Sequence, residues 1–288
     1  MSAPPHRDLA ERNRHSWNAA TRAHNSHKAG QAEFLRSGGS TLFPEEVRLL
    51  GDVEGKSLLH LLCNSGQDTL SLARLGARVT GVDISDEAIE TARRLSRDSG
   101  LPGTFHRADV YDYLEGARAS AERFDRVLLS YGTLCWLSDL KLLAREIRQV
   151  LSPGGRLVIV EFHPVGCALG EDWRVEYGAL GGDLLETPEG VGDYVADSGE
   201  GLNPGGGGEG VRGFSNPHPS FELTWGLGDA VTAVLESGLV LRSLEEYGYS
   251  NGWKILPDMR PSEDRRMLPP EDRPPFPFMY SLTAERLA

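Results

Sequence analysis

Short continuous apolar runs alternate with helical stripes along most of this chain. Leu58–Leu62 is an apolar run of the length of one buried strand. The small residues Cys63-Asn64-Ser65-Gly66 make a turn, after which Leu70 and Ala73 share a helical face until Gly76 stops the helix. A second run, Val79–Val82, delivers Asp83. Ser85 then stands as an N-cap, with Asp86, Glu87 and Glu90 near the positive end of a helix reaching about Arg97. Thr104–Arg107 predicts a third strand ending near Asp109, and Phe124–Ser130 a fourth. Ser138 or Asp139 caps a helix whose stripe is Leu140, Leu143, Ala144, Ile147 and Leu151. Pro153-Gly154-Gly155 breaks it, and Arg156–Phe162 is a fifth strand. Strands separated by helices predict an α/β fold whose mostly parallel sheet is covered on both faces.

The flanks behave differently. Arg7–Lys28 has helical spacing, but its face of Trp17, Ala20, Thr21, His24 and Lys28 is too polar for a core stripe. It predicts either a surface helix or a lid over a polar ligand. A short helix is expected at Pro44–Leu50. Across 163–221 apolar density drops, Gly201–Gly213 has the composition of a flexible loop, and aromatic residues are scattered. An insertion after the fifth strand sits above the carboxyl edge of the sheet, where open α/β folds bind ligands, and so predicts a substrate cap. Gly228–Ser237 returns to helix, and Leu239–Tyr247 and Phe278–Ala284 are late strands. The Pro-rich, charged stretch Leu256–Pro277 reads as an extended surface loop. One domain in four stretches results: an N-terminal lid (1–50), a core (51–162), a cap (163–221) and a completion of the core sheet (222–288).

Charge and composition narrow the function. The 288 residues carry a formal net charge of -12, which works against unaided binding to nucleic acid or anionic membranes. No apolar run reaches the roughly 20 residues of a membrane span, and the N-terminus lacks the apolar core of a signal peptide. Cys63, Cys135 and Cys167 are widely spaced and odd in number, suggesting neither a disulfide framework nor a metal site. A cytoplasmic protein, monomer or homodimer, acting on a small molecule is expected.

The unit from Ser57 to Ser85 carries the chemistry. Strand, small-residue turn, helix, strand and terminal acid form an arrangement that binds adenosine-bearing ligands. Gly66 lets the backbone approach, the helix start offers unpaired N–H groups, and Asp83 is placed to accept from ribose hydroxyls. Cys63-Asn64-Ser65-Gly66-Gln67-Asp68 does not match Gly-x-Gly-x-x-Gly, which ranks a dinucleotide oxidoreductase low; a non-catalytic binding module ranks low because both cap and ligand edge are furnished for chemistry.

From about Leu50 onward the chain resembles the class I S-adenosylmethionine-dependent methyltransferases. Their first motif, an acid and three glycines over seven positions, reads here His60-Leu61-Leu62-Cys63-Asn64-Ser65-Gly66, with His60, Leu62 and Asn64 as departures. The stretch HLLCNSGQDTLSLARLGARVTGVDIS is similar to a bacterial small-molecule branch carrying Cys-x-x-Gly-x-Asp. The resemblance implies a Rossmann-like seven-stranded sheet ending in an antiparallel hairpin, with S-adenosyl-L-methionine as cofactor. It further implies cofactor contacts from Cys63, Asn64, Gly66, Asp68, Asp83, Ile84, Asp109, Val110 and Ser130, with Asp83 on the ribose and Asp109-Val110 on the adenine. Methyl transfer is an in-line displacement that needs a base only when the acceptor must lose a proton. His163, Tyr131 and Glu161 are the expected catalytic groups, and Trp17, His24, Tyr177, Tyr194 and Trp225 the expected cap and substrate contacts. With Tyr131 and Trp136, the last three suggest an aromatic cage. A second reaction fits the same motifs, namely closure of the methionine chain by its own amine to an azetidine amino acid, releasing methylthioadenosine.

Overall fold

The computed structural model describes residues 7–204 and 207–288. Seven strands form one sheet: β1 (Ser57–Leu61), β2 (Arg78–Asp83), β3 (Thr104–Arg107), β4 (Phe124–Ser130), β5 (Leu151–Phe162), β6 (Val240–Tyr247) and β7 (Met279–Glu285). Their spatial order is β3-β2-β1-β4-β5-β7-β6. The first five are parallel, while β7 runs antiparallel to β5 and β6. This is the expected Rossmann-like sheet with its closing hairpin. Leu58, Leu59 and Leu61 of β1 are all fully buried, as a central parallel strand covered on both faces requires.

Helices α1 (Arg7–Ser26), α2 (Gln31–Arg36), α3 (Pro44–Leu50), α4 (Gln67–Arg74), α5 (Asp86–Ser99), α6 (Val110–Ala119) and α7 (Leu140–Val150) cover the sheet. On one face Leu114, Leu143 and Ile147, with Ala233 and Val234 of a later helix, pack on Leu59, Leu61, Val127 and Leu129. On the other, Leu49, Leu50 and Leu72 pack on Leu58, Leu128 and Val158. Each such aliphatic side chain contributes about 1.5–3 kcal/mol by leaving water. Ser85 caps α5 by accepting from Ala88 N at 3.1 Å. Asp139, rather than Ser138, caps α7 by accepting from Leu142 N at 2.8 Å. β5 starts at Leu151 instead of Arg156, because Pro153-Gly154-Gly155 is absorbed as an irregularity between the Phe124↔Leu151 and Arg126↔Arg156 pairs.

Three peripheral expectations change. The polar face of α1 is buried, since its polar groups find partners in the insertion. Asn13 exchanges two hydrogen bonds of 2.8 Å with the Phe221 backbone, and Ser16 Oγ accepts from Val191 N at 3.0 Å. On its other flank Arg22 pairs with Glu87 at 2.6 Å and Asn18 donates to Asp86 at 3.0 Å. The glycine-rich stretch is partly tied down: Gly208 N donates to His27 O at 2.9 Å, while Gly205 and Gly206 lie outside the described residues. Leu256–Pro277 is no loose surface loop, because Leu256, Met259 and Met267 are buried against Leu169 and Phe278. Part of it pairs in a small sheet with Ser250–Asn251. Its carboxylates and most of its prolines face outward, while Arg265 and Arg266 turn inward and every few residues an apolar side chain anchors it. Among the described residues no helix is long and apolar enough to cross a membrane.

Candidate active site

A cavity of about 800 Å³ lies over the carboxyl edge of the sheet, walled by α1, the insertion and the segment around Arg265. Its size is in the upper part of the ~300–1,000 Å³ usual for small-molecule sites. One end is the turn after β1. Leu62, Asn64 and Gly66 take φ of 53°, 48° and 77°. The side chains that replace two glycines of the expected motif therefore keep a glycine-like backbone. That conformation costs roughly 1–2 kcal/mol at a residue such as Leu62. The turn is held from opposite sides. Asn64 N donates to Asp83 Oδ2 at 2.8 Å, and Gly66 N to Cys63 O at 3.0 Å. A Cβ on Gly66 would sit 2.8 Å from Ala92 Cβ, so helix packing also excludes a side chain there. Cys63 is buried and its thiol pKa is raised well above the usual value by that burial, leaving an inert packed side chain.

Asp83 closes β2 at the cavity wall. Its Oδ1 accepts from Ser85 N at 2.8 Å, yet burial outweighs these N–H donors and lifts its pKa to about 6. Ile84 and Val110 line the same end. Asp109 caps α6, its Oδ1 accepting from Tyr111 N at 2.8 Å, and burial raises its pKa. His60, in the place of the motif's acid, is neutral. Burial drives its pKa down to about 4, and its ring nitrogens lie 2.9 Å from Thr69 Oγ1 and 3.3 Å from Ser130 Oγ. Asp68 Oδ1 accepts from Thr41 Oγ1.

The expected catalytic groups separate. Tyr131 lines the cavity, its hydroxyl accepting from Asn251 Nδ2 at 2.9 Å; burial and then Glu46 hold the phenol well above its ordinary pKa. Glu161 also reaches the cavity, but its carboxylate accepts from Gly132 N, Thr133 N, Thr133 Oγ1, Leu134 N and Phe162 N. It fastens the turn after β4, and its lone pairs are spent there. His163 does not line this cavity. Its Nδ1 accepts from Val165 N at 3.1 Å, capping a short helix, and its Nε2 lies 3.0 Å from Glu246 in a separate outer cleft. The chain turns outward after β5, which carries this ring away from the site.

The lid and cap residues do meet. Trp17 stands edge-on to Trp136 with centroids 5.3 Å apart and to Tyr194 at 6.4 Å. His24 stacks at 4.3 Å from Tyr194 and points Nε2 at Gly192 O, 2.9 Å away; burial lowers its pKa to about 4. Tyr177 lines the rim and is half exposed. Trp225 donates to Leu137 O at 3.0 Å and lines both this cavity and the outer cleft.

Among the cavity residues whose part in the site the sequence did not announce are Glu222, Arg265 and Lys28, the last expected only as one position on the α1 face. Glu222, on the insertion strand Ser220–Leu223, projects a half-buried carboxylate whose pKa burial raises, with the Cys135 thiol as hydrogen-bonding neighbour. Its alternation with Phe221 and Leu223 was the available strand signal. Lys28 and Arg265 come from opposite ends of the chain and meet the cavity only through the fold.

Residues 59–159 match the family described as a methyltransferase domain. This part of the chain is a methyltransferase-family domain. Curated relatives include the ubiquinone biosynthesis O-methyltransferase of Actinobacillus pleuropneumoniae, 31% identical over 36% of this chain and 44% of that protein. The demethylmenaquinone methyltransferase of Tropheryma whipplei is 32% identical over 41% and 46%. The matches thus span about half the length of these relatives. Among solved structures, an S-adenosylmethionine-dependent methyltransferase from Mesorhizobium loti superposes with a TM-score of 0.52 at 21% identity, over 87% of this chain and 100% of that one. A protein titled as a putative enzyme of that kind from Listeria monocytogenes gives 0.52 at 16% identity, over 85% and 97%. The methyltransferase-family domain holds His60, Asp68, Asp83, Asp109 and Tyr131, whereas Lys28, Glu222 and Arg265 lie outside it.

Proposed function

We propose that the protein is an S-adenosylmethionine-dependent methyltransferase acting on a small aromatic acceptor with an ionisable hydroxyl. The observation that carries this reading is the continuity of the cavity. Its lining takes in Asp83 and Asp109, the ends of β4 and β5, and the insertion-side residues Glu222, Cys167, Tyr177 and Trp225. When bound, the donor supplies an electrophilic methyl group on a sulfonium. Asp83 would accept from the two ribose hydroxyls, and Asp109 with the Val110 N–H would read the adenine. Ser130 and Tyr131 line the cavity at the end of β4. Trp17, Trp136 and Tyr194 exclude water and offer π-faces to a cation.

Glu222 is the group placed to take a proton from the acceptor. Tyr131 is held too basic to be an anion near neutrality, Glu161 is engaged by five donors, and His163 faces elsewhere. A carboxylate made more basic by burial is better matched to deprotonating a hydroxyl. An aromatic acceptor suits both the lining and the quinone-pathway names of the relatives. The cavity volume of about 800 Å³ also favours a two-substrate transfer over closure of the methionine chain, which needs no acceptor space.

The test is incubation with S-adenosylmethionine labelled in its methyl group and a pooled extract of small metabolites. Label enters an extract component with the wild-type protein and not with Asp83→Ala. Label that never leaves the nucleoside overturns the proposal.

A further inference from the structure

Asn251 lies in the small sheet that follows β6, where it pairs with Arg266, and its carbonyl accepts from Trp253 N at 2.7 Å. The residue is only 1% exposed and yet lines the cavity. Both of its amide hydrogens are spent. Nδ2 donates to Glu45 Oε2 at 3.0 Å and to the Tyr131 hydroxyl at 2.9 Å.

These partners fix which way the amide faces. Burial pushes the Glu45 pKa up, but hydrogen bonds led by those from Tyr249 and Asn251 outweigh it and hold the carboxyl below its usual value. An ionised carboxylate can only accept, so Asn251 presents its NH₂ group to Glu45 and turns Oδ1 away. That oxygen has no hydrogen-bond partner among the described residues. The neighbouring lining is aromatic. Tyr131, Phe162 and Trp253 follow one another with ring centroids 5.9 and 4.6 Å apart, and Phe43 stands edge-on to Tyr131 at 6.0 Å.

Folded proteins leave few buried acceptors unpaired, because the hydrogen bond to water is lost and nothing replaces it. An orphan acceptor held in one orientation at a cavity wall is completed by what enters the cavity. We infer that Asn251 is a specificity-determining contact for the acceptor, its Oδ1 taking a hydrogen bond from a non-reacting hydroxyl or amine on the aromatic ring. The inference deepens the function proposed above and rests on it. The acceptor then carries two donors, an ionisable hydroxyl for Glu222 and a second group for Asn251. Glu45 does not line the cavity and acts only through the Asn251 amide, as a positioning residue.

Calorimetry on protein saturated with S-adenosylhomocysteine tests this with phenols in matched pairs. The ortho, meta and para aminophenols and dihydroxybenzenes are compared with the corresponding cresols, so that no spacing between Glu222 and Asn251 is assumed. In at least one position the wild type binds the amino or hydroxy member about ten- to a hundred-fold more tightly than the cresol, as expected when a buried acceptor is otherwise left unpaired. Asn251→Leu, of similar size, loses that preference. Glu45→Gln offers Asn251 a partner that both donates and accepts, so the amide is free to turn and the preference falls in part. Unfolding midpoints show that each variant is folded, and if Asn251→Leu is not, the Glu45→Gln comparison decides. A wild type without the preference overturns the contact, as does a folded Asn251→Leu or Glu45→Gln variant that keeps it in full; donor binding is untouched by that result. Wild-type protein that binds S-adenosylhomocysteine but none of the phenols removes the aromatic-acceptor reading and this contact together.

Discussion

Asp83→Ala is expected to reduce S-adenosylhomocysteine affinity by about two to four orders of magnitude. The side chain ends β2 with both oxygens at the cavity wall, where each accepts one backbone N–H at 2.8 Å and has a further lone pair for a ribose hydroxyl. Two hydrogen bonds to a charged acceptor, each worth about 1.5–3 kcal/mol, give roughly 3–6 kcal/mol in total. Removing the carboxylate also strands Asn64 N and Ser85 N, so the unfolding midpoint should fall as well. Asp83→Asn separates the effects. It keeps one acceptor oxygen, and affinity should drop about tenfold or somewhat more with a smaller loss of stability. The raised pKa adds a signature. Binding uses the ionised carboxylate, so affinity is present above pH 6 and declines below it. With a pKa of about 6 in the free protein, the ionised fraction falls about fourfold between pH 7 and pH 5.5. Calorimetry at constant ionic strength should show that decline in the wild type and a flat profile in Asp83→Asn. Asp83→Ala binding within threefold of the wild type would refute the argument, as would a pH profile that Asp83→Asn leaves unchanged.

Other substitutions probe the remaining groups. Glu222→Gln should lower turnover about 10²–10⁴-fold with donor affinity unchanged, measured in single-turnover experiments with an accepted substrate; unchanged turnover removes its role as base. His163→Ala should cost about 1 kcal/mol in denaturant unfolding through the lost cap, with donor binding and turnover intact; a tenfold loss of turnover contradicts its placement outside the cavity. Glu46 has a folded pKa of about 8 against an ordinary value of 4.5, so its ionisation is opposed in the folded protein and stability declines as pH rises from 4.5 to 8. Glu46→Gln should therefore gain stability over the wild type, most at pH 8 and above and little near pH 4.5, in melting curves taken across that range. A gain independent of pH contradicts the assignment.

The core was legible because parallel strands buried on both faces appear as nearly continuous apolar runs, as Leu58–Leu62, interrupted only by His60, and Val127–Leu129 do. Asp83 could be found for the same reason: it ends such a run. The polar face of α1 could not be read, since Asn13 and Ser16 are satisfied by Phe221, Asn216 and Val191, some 200 residues away. Lys28 and Arg265 share a wall only after the late segment has folded back over Phe43. Its prolines and charges concealed the buried Leu256, Met259 and Met267 that hold it there. His163 misled because its place beside the carboxyl edge is correct in sequence, while the backbone after Phe162 aims the ring at Glu246 on β6. Glu161 misled differently. It does reach the cavity, but five donors had claimed it.

The most direct measurement is the fate of the donor nucleoside. Purified protein is incubated with S-adenosylmethionine, with and without an acceptor, and the nucleoside products are quantified by chromatography and mass spectrometry. The account predicts S-adenosylhomocysteine in amounts equal to the methylated acceptor, and an intact donor when the acceptor is omitted. Methylthioadenosine accumulating without any acceptor would contradict it and leave Glu222 and its neighbours in the cavity with a structural role.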